Sequence, residues 1–167
     1  MKMKTGLAAL VTALLLLPGI AQADELPMKA EAPITLTSPS AILCEASTGQ
    51  VIFEKNADER RPVASVNKVM TILLTLEAVD EGRVSLEDQV TVSPRAASMG
   101  GSQAFLDAGE RYKLRELLKT VIVASANDSA VALAEHLAGT EESFVRLMNT
   151  RAEELGLTNT HYANCTG

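Results

Sequence analysis

Tryptophan is absent from this chain, and the other aromatics amount to two Tyr and three Phe. A module that reads single-stranded nucleic acid by stacking bases on aromatic rings has little to work with here. Positive charge is also in deficit: 15 Lys and Arg stand against 21 Asp and Glu, a formal charge of -6. That balance repels a phosphate backbone, so nucleic acid is excluded as a partner. Two Cys cannot staple a disulfide-dense scaffold. There are no internal repeats and no low-complexity tracts, and past residue 23 no apolar stretch approaches the roughly 20 residues that span a bilayer. What remains is an ordinary balance, 47% hydrophobic and 22% charged, which over 167 residues describes one globular domain or part of one.

The first 23 residues read as a targeting segment. Lys2 and Lys4 form a positive n-region, and Leu7 to Leu17 form an apolar core too short to cross a bilayer. Pro18 and Gly19 break the run, and Ala21-Gln22-Ala23 places small residues where a signal peptidase reads them. Cleavage is expected after Ala23, so residues 1–23 are a signal peptide. The product is then extracytoplasmic, in the periplasm or at the outer face of the cytoplasmic membrane and cell wall. In an oxidising compartment Cys44 and Cys165 are able to pair, but nothing in the sequence brings their Cα atoms together. His161 and Cys165 are two candidate metal ligands, and two do not make a site. No metal or organic cofactor is expected.

Residues 24–40 carry Pro27, Pro33 and Pro39 with little periodicity and read as a flexible lead-in. Residues 41–45 and 51–55 are strand-like, with Ser47-Thr48-Gly49-Gln50 between them as a turn, which predicts an antiparallel hairpin. From Ser65 the period lengthens: Val66, Val69, Met70, Leu73, Leu76 and Val79 predict a helix stopped by Gly82. Val90 and Val92 alternate as in a short strand, and residues 94–103 read as a loop. Leu114, Leu117, Leu118, Val121 and Ile122 predict a second helix, interrupted at Ser125-Ala126-Asn127-Asp128. A third carries Val131, Leu133, Ala134 and Leu137 and stops at Gly139. Thr140 is placed to cap a fourth, with Phe144, Leu147, Met148 and Leu155 as its stripe. A hairpin followed mostly by helices is an α+β pattern whose sheet is small for its helices.

Ser65-Val66-Asn67-Lys68 is the most informative tetrapeptide. At a helix start, Ser65 and Lys68 fall three residues apart and share a face. The unpaired N–H groups and dipole of that end favour developing negative charge on a serine oxygen. The same field, with burial, disfavours protonated Lys68. A neutral lysine can then take the Ser65 proton, the Ser–Lys form of an activated nucleophile. By itself the motif is equally a Ser at a helix start with a Lys one turn on. Ser125-Ala126-Asn127 is the second candidate: the Ser125 hydroxyl can relay a proton, and the Asn127 amide can hold Lys68 or a substrate carbonyl. Its plain alternative is an interhelical linker whose Ser and Asn cap helix ends. A Ser-His-Asp hydrolase has only His136 and His161 to draw on, and there is no Gly-x-Ser-x-Gly elbow.

Order, spacing and neighbours together decide between these readings. From about Ile34 to Gly167 the chain resembles the serine D-Ala-D-Ala carboxypeptidases, the low-molecular-mass penicillin-binding proteins, within the penicillin-binding protein and β-lactamase superfamily. The resemblance runs through Ala46-Ser47-Thr48-Gly49-Gln50-Val51 and Pro62-Val63-Ala64-Ser65-Val66-Asn67-Lys68-Val69-Met70-Thr71. It continues through Gly101-Ser102-Gln103-Ala104-Phe105-Leu106, Gly109-Glu110, Ser125-Ala126-Asn127-Asp128 and Ala132-Leu133-Ala134-Glu135. Met148-Asn149, Ala152, Leu155-Gly156-Leu157 and Asn164-Cys165-Thr166-Gly167 complete it.

The resemblance implies that Ser65 is the acyl-ester nucleophile, Lys68 the general base and Ser125 the proton relay, with Asn127 binding substrate. Ala126 stands where the superfamily often has Gly. The third family motif, Lys-Thr-Gly on a strand lining the cleft, is not found, and Cys165-Thr166-Gly167 corresponds to the segment before it. The resemblance therefore implies an α+β, penicillin-binding protein/β-lactamase-like fold: an N-terminal β-hairpin plus a helical subdomain, without the C-terminal strands of the antiparallel sheet. Residues 41–167 are expected to be an incomplete catalytic domain, the N-terminal part of a longer enzyme.

The implied substrate is a peptidoglycan stem peptide ending in D-Ala-D-Ala, with β-lactam antibiotics as acylating inhibitors. The C-terminal part of family members often adds an amphipathic membrane-anchoring helix. Three other readings stay open at this point. They are a D,D-endopeptidase, a β-lactamase of the same superfamily, and a non-catalytic envelope protein that binds peptidoglycan.

Overall fold

The computed structural model describes residues 35–167, so the expected signal peptide and residues 24–34 of the lead-in lie outside the described residues. The chain divides into two compact units, one ending at Lys55 and the other running from Asn56 to Gly167.

In the first unit, β1 (Ala41–Cys44) and β2 (Val51–Lys55) pair antiparallel, with Ala41 opposite Lys55 and Leu43 opposite Phe53. The register shifts between Leu43 and Cys44, so Cys44 faces Val51. The intervening turn is organised by a carboxylate as much as by Gly49. Glu45 accepts from the Ser47 and Thr48 backbone N–H groups at 3.0 and 2.7 Å and from their hydroxyls at 2.8 and 2.7 Å. These donors, the Ser47 amide foremost, hold the Glu45 carboxyl down to about 2. Residues 35–40 form no helix or strand, and Lys55 Nζ donates to the Leu36 and Ser38 carbonyls, both at 2.8 Å.

The second unit is built around one helix. A 3₁₀ turn (Ala64–Asn67) leads into α1 (Lys68–Asp80). Then come β3 (Gln89–Thr91), the one-turn α2 (Pro94–Ala97), β4 (Arg111–Lys113), α3 (Leu114–Ala124), α4 (Asn127–Ala138) and α5 (Glu141–Glu154). In α4 every residue from Asp128 to Ala134 is buried, and α1, α2, α3, α5 and β3 all pack against it. Four of those seven are Ala or Ser, and side chains that short let five neighbours approach one axis. Leu114, Leu117, Leu118 and Val121 of α3 and Phe144, Met148 and Ala152 of α5 complete the core. Thr140 caps α5 as its sequence predicts, its hydroxyl accepting from Ser143 N at 3.1 Å.

Three local expectations are corrected, and one strand is added that no sequence signal announced. Residues 94–103 were expected as loop, yet Pro94–Ala97 is helical. Ser93 accepts from Ala96 N at 2.9 Å and Pro94 fills the first helical position, a start signal strong enough to form one turn. β4 pairs with β3, Val90 opposite Tyr112, although Arg111-Tyr112-Lys113 has no alternation to announce a strand. On α3, Ile122 lies a residue past the buried row and is exposed.

The third correction concerns α1. Met70 of the expected stripe is buried, and Leu73 and Val79 pack partly buried against the core, but Val66, Val69 and Leu76 are exposed, and a second buried row is Lys68, Thr71, Thr75 and Ala78. These follow one another at steps of three, four and three residues, one helical face. The inward side of α1 therefore includes a polar row beside its apolar residues, and that row carries the site.

Candidate active site

Ser65 lies in the 3₁₀ turn and is exposed, whereas Lys68, three residues on, is only 2% exposed. The turn brings Lys68 Nζ to 3.1 Å from Ser65 Oγ. Its other partner is the Thr166 carbonyl, at 2.9 Å. No carboxylate pairs with Lys68 among the described residues. The amine is thus buried beside one hydroxyl and one carbonyl, without a counter-charge.

Burial is the dominant effect on Lys68 and pushes its pKa below the ordinary lysine value. The opposing influence is the negative form of Cys165. That thiol is fully buried and lies against the Glu141 carboxylate, and both circumstances push its pKa far above the physiological range. It is therefore neutral where the protein works and does not hold a proton on Lys68. Two partners face the amine here among the described residues, and a neutral amine can give an N–H to the Thr166 carbonyl while turning its lone pair to the Ser65 hydroxyl, as a general base requires.

The carbonyl that orients Lys68 belongs to a strap, Asn164–Gly167, tied to the 3₁₀ turn and the start of α1 by side chains on either side of Lys68. Asn67 Nδ2 donates to the Asn164 carbonyl at 2.9 Å, and Thr71 Oγ1 to the Cys165 carbonyl at 2.8 Å. From the other side the Glu141 carboxylate accepts from Cys165 N at 3.3 Å and Cys165 Sγ at 3.4 Å, while Arg95 pairs with Glu141 at 2.9 Å. Gly167 fits so closely over the 3₁₀ turn that a Cβ there would lie 1.9 Å from the Ala64 carbonyl oxygen.

Ser125 ends α3 in the left-handed region, φ 55° and ψ 36°, and is half-buried. It makes no hydrogen bond to Ser65 or Lys68 among the described residues. Asn127 opens α4, and its amide does not hold Lys68. Instead Nδ2 donates to the Gly100 carbonyl at 2.7 Å, and the backbone N–H donates to the Ser102 carbonyl at 2.8 Å. The structure therefore brings Ser65 and Lys68 into contact and places Ser125 and Asn127 at the junction of α3 and α4.

Sequence reasoning assigned no role to Asn67, Thr71, Thr166 or Asp128. The signal for the first two is now clear: polar residues beside Lys68 on a helix with an otherwise apolar composition belong to its inward face.

Cys44 is an exposed free thiol and Cys165 a buried one, so the two are unpaired. No group of three or more His, Cys, Asp or Glu able to hold a metal ion occurs among the described residues.

Residues 27–167 match the family described as D-alanyl-D-alanine carboxypeptidase. The chain is 51% identical over 128 residues to the D-alanyl-D-alanine carboxypeptidase DacF of Bacillus subtilis, a match covering 77% of this chain and 33% of that protein. It is 39% identical over 144 residues to the D-alanyl-D-alanine carboxypeptidase DacC, one of several from Escherichia coli that it resembles, covering 80% and 36%. The crystal structure of penicillin binding protein 6B from Escherichia coli superposes with a TM-score of 0.79 at 35% identity, over 85% of this chain and 46% of that one. The chain thus spans about a third of the length of these curated relatives. Its helices and small antiparallel sheets are part of a penicillin-binding protein fold, the α+β class its sequence predicts. On sequence and fold together, the chain belongs to the D-alanyl-D-alanine carboxypeptidase family.

Proposed function

We propose that Ser65 is the nucleophile of a serine D-Ala-D-Ala carboxypeptidase that trims peptidoglycan stem peptides. The observation that carries this reading is the exposed Ser65 hydroxyl 3.1 Å from a buried lysine amine that has no counter-charge. Lys68 accepts the Ser65 proton as Oγ attacks the carbonyl of the penultimate D-Ala. The tetrahedral intermediate then collapses: the C–N bond breaks, an ester to Ser65 forms, and the leaving amine takes a proton. Ser125, at the α3–α4 junction, relays that proton from Lys68. Water, deprotonated by the same lysine, hydrolyses the ester and frees Ser65. Every step moves a proton or an acyl group, so the chemistry requires no cofactor. Asn127 supports the site from the same junction.

A β-lactam presents the same amide in a strained ring and is expected to acylate Ser65. Because its leaving nitrogen stays attached, the adduct keeps the whole mass of the drug. The Lys2–Ala23 segment supports export, which would place Ser65 where peptidoglycan is found.

Intact mass spectrometry of the full-length protein after incubation with benzylpenicillin tests the reading. A single adduct, lost in Ser65→Ala, is the expected result. No adduct, or one that persists in Ser65→Ala, contradicts it.

A further inference from the structure

One buried carboxylate takes no part in the proposed chemistry, yet it is bonded to the loop beside the second motif. Asp128 is 1% exposed. Its Oδ1 and Oδ2 each lie 3.0 Å from Ala104 N, Oδ2 accepts from Leu106 N at 3.1 Å, and Oδ1 accepts from its own neighbour Ser129 N at 2.8 Å. It pairs with no cation among the described residues. A carboxylate held by backbone N–H groups alone fixes whatever chain supplies them.

That chain is the Gly100–Leu106 loop, and Asn127 grips it with the opposite polarity. Asn127 gives its backbone N–H to the Ser102 carbonyl and its Nδ2–H to the Gly100 carbonyl, while Asp128 takes the amides of Ala104 and Leu106. Two adjacent residues therefore bind alternate groups of one loop. Between the clamped amides Phe105 is 82% exposed and sits at φ +58°, a conformation that bulky residues keep only when their surroundings impose it. At the other end Gly101 (φ +79°) comes so close that an added Cβ would lie 2.8 Å from Asn127 Nδ2. The loop thus fixes which way the Asn127 amide faces: Nδ2 is spent on Gly100, and Oδ1 is left without a partner among the described residues.

We propose that Asp128 is a positioning residue for acylation, clamping the Gly100–Leu106 loop so that the loop in turn sets the orientation of the Asn127 amide beside Ser125. The inference rests on the reading that Ser125 and Asn127 flank the reacting centre. In Asp128→Asn one oxygen must serve both loop amides, and the new NH2 group confronts an N–H donor. Gly101→Ala disturbs the same amide from the loop side, without touching Asp128.

The test is the first-order acylation step with a fluorescent penicillin, separated from reversible binding by its concentration dependence and normalised to titrated active sites. Each variant is expected to slow that step about tenfold, the loss of one to two charge-assisted hydrogen bonds. The double variant is expected to be slower than either single variant but by less than the product of their effects, because both act through one amide. The acid limb of the pH–rate profile, set by Lys68, is expected to stay in place. A merely structural role would lower the titratable fraction without changing the rate per site. Wild-type rates per titrated site in both variants, or effects that multiply, overturn the inference while leaving the proposed function standing. A wild-type protein that is not acylated at all overturns both.

Discussion

Lys68→Ala is expected to slow acylation of Ser65 by about 10²–10⁴-fold, the span that a positioned general base contributes. The size follows from the geometry. Lys68 Nζ is the basic group within hydrogen-bond reach of Ser65 Oγ, and without it the serine must lose its proton to water. The fold is expected to tolerate the change. Removal leaves the Thr166 carbonyl short of a donor, a cost of about 1–3 kcal/mol, but it also relieves the burial of an amine that has no counter-charge.

Lys68→Arg separates basicity from charge. A guanidinium keeps the cation and its donors but cannot accept a proton near neutral pH, so it is expected to be as slow as alanine. Labelling kinetics with a fluorescent penicillin decide the matter. An arginine variant acylating near the wild-type rate would mean that Lys68 acts through its charge, and the proton-transfer account would be wrong.

The second large effect is on stability. Phe144→Ala is expected to cost about 3–5 kcal/mol, the range for deleting a buried aromatic ring. Phe144 has no exposed surface, and on its helix it belongs to the buried row with Met148 and Ala152. Against a typical net stability of about 5–15 kcal/mol, that loss removes much of the margin. Leu147→Ala is the internal control, since Leu147 sits on the same helix but is 44% exposed. Urea denaturation with an unchanged m-value is expected to separate the two variants clearly. Equal midpoints would mean that α5 does not bury Phe144 as described.

The two helix stripes show what the sequence can and cannot disclose. On α3 the apolar period identified the buried row, Leu114, Leu117, Leu118 and Val121, and on α5 it found Phe144 and Met148. Ile122, Leu147 and Leu155 were misplaced by about one residue's rotation. On α1 the same rule found Met70 but also picked the exposed Val66, Val69 and Leu76, and it missed the polar row. Apolar residues lie nearly all round that helix, so their spacing carries no direction, and the informative residues were the polar ones. Lys68, Thr71 and Thr75 are tolerated inside because the strap and the helix itself supply their partners: the Thr166 and Cys165 carbonyls, and the Thr71 carbonyl for Thr75. Those partners lie more than ninety positions away for Lys68 and Thr71, and no local pattern announces them.

The Ser65–Lys68 pair was legible, because three-residue spacing on a helical turn determines proximity. The role of Asp128 was not, because its partners belong to a loop of irregular backbone. α2 was readable in principle from Ser93-Pro94, and β4 only through its pairing with β3.

The central claim is that Lys68 is neutral at the pH where Ser65 reacts. Its folded value lies below its unfolded one. Between the two, the unfolded chain binds a proton that the folded chain does not, and stability rises with pH across that window. The acylation rate rises through the lower, folded value. The direct measurement is a ¹³C NMR titration of the lysine side chains, with Lys68 assigned by comparison with Lys68→Arg. One resonance that titrates below all the others, with a midpoint coinciding with the acid limb of the acylation profile, is the predicted result. A Lys68 amine that stays protonated up to the ordinary lysine range contradicts the account.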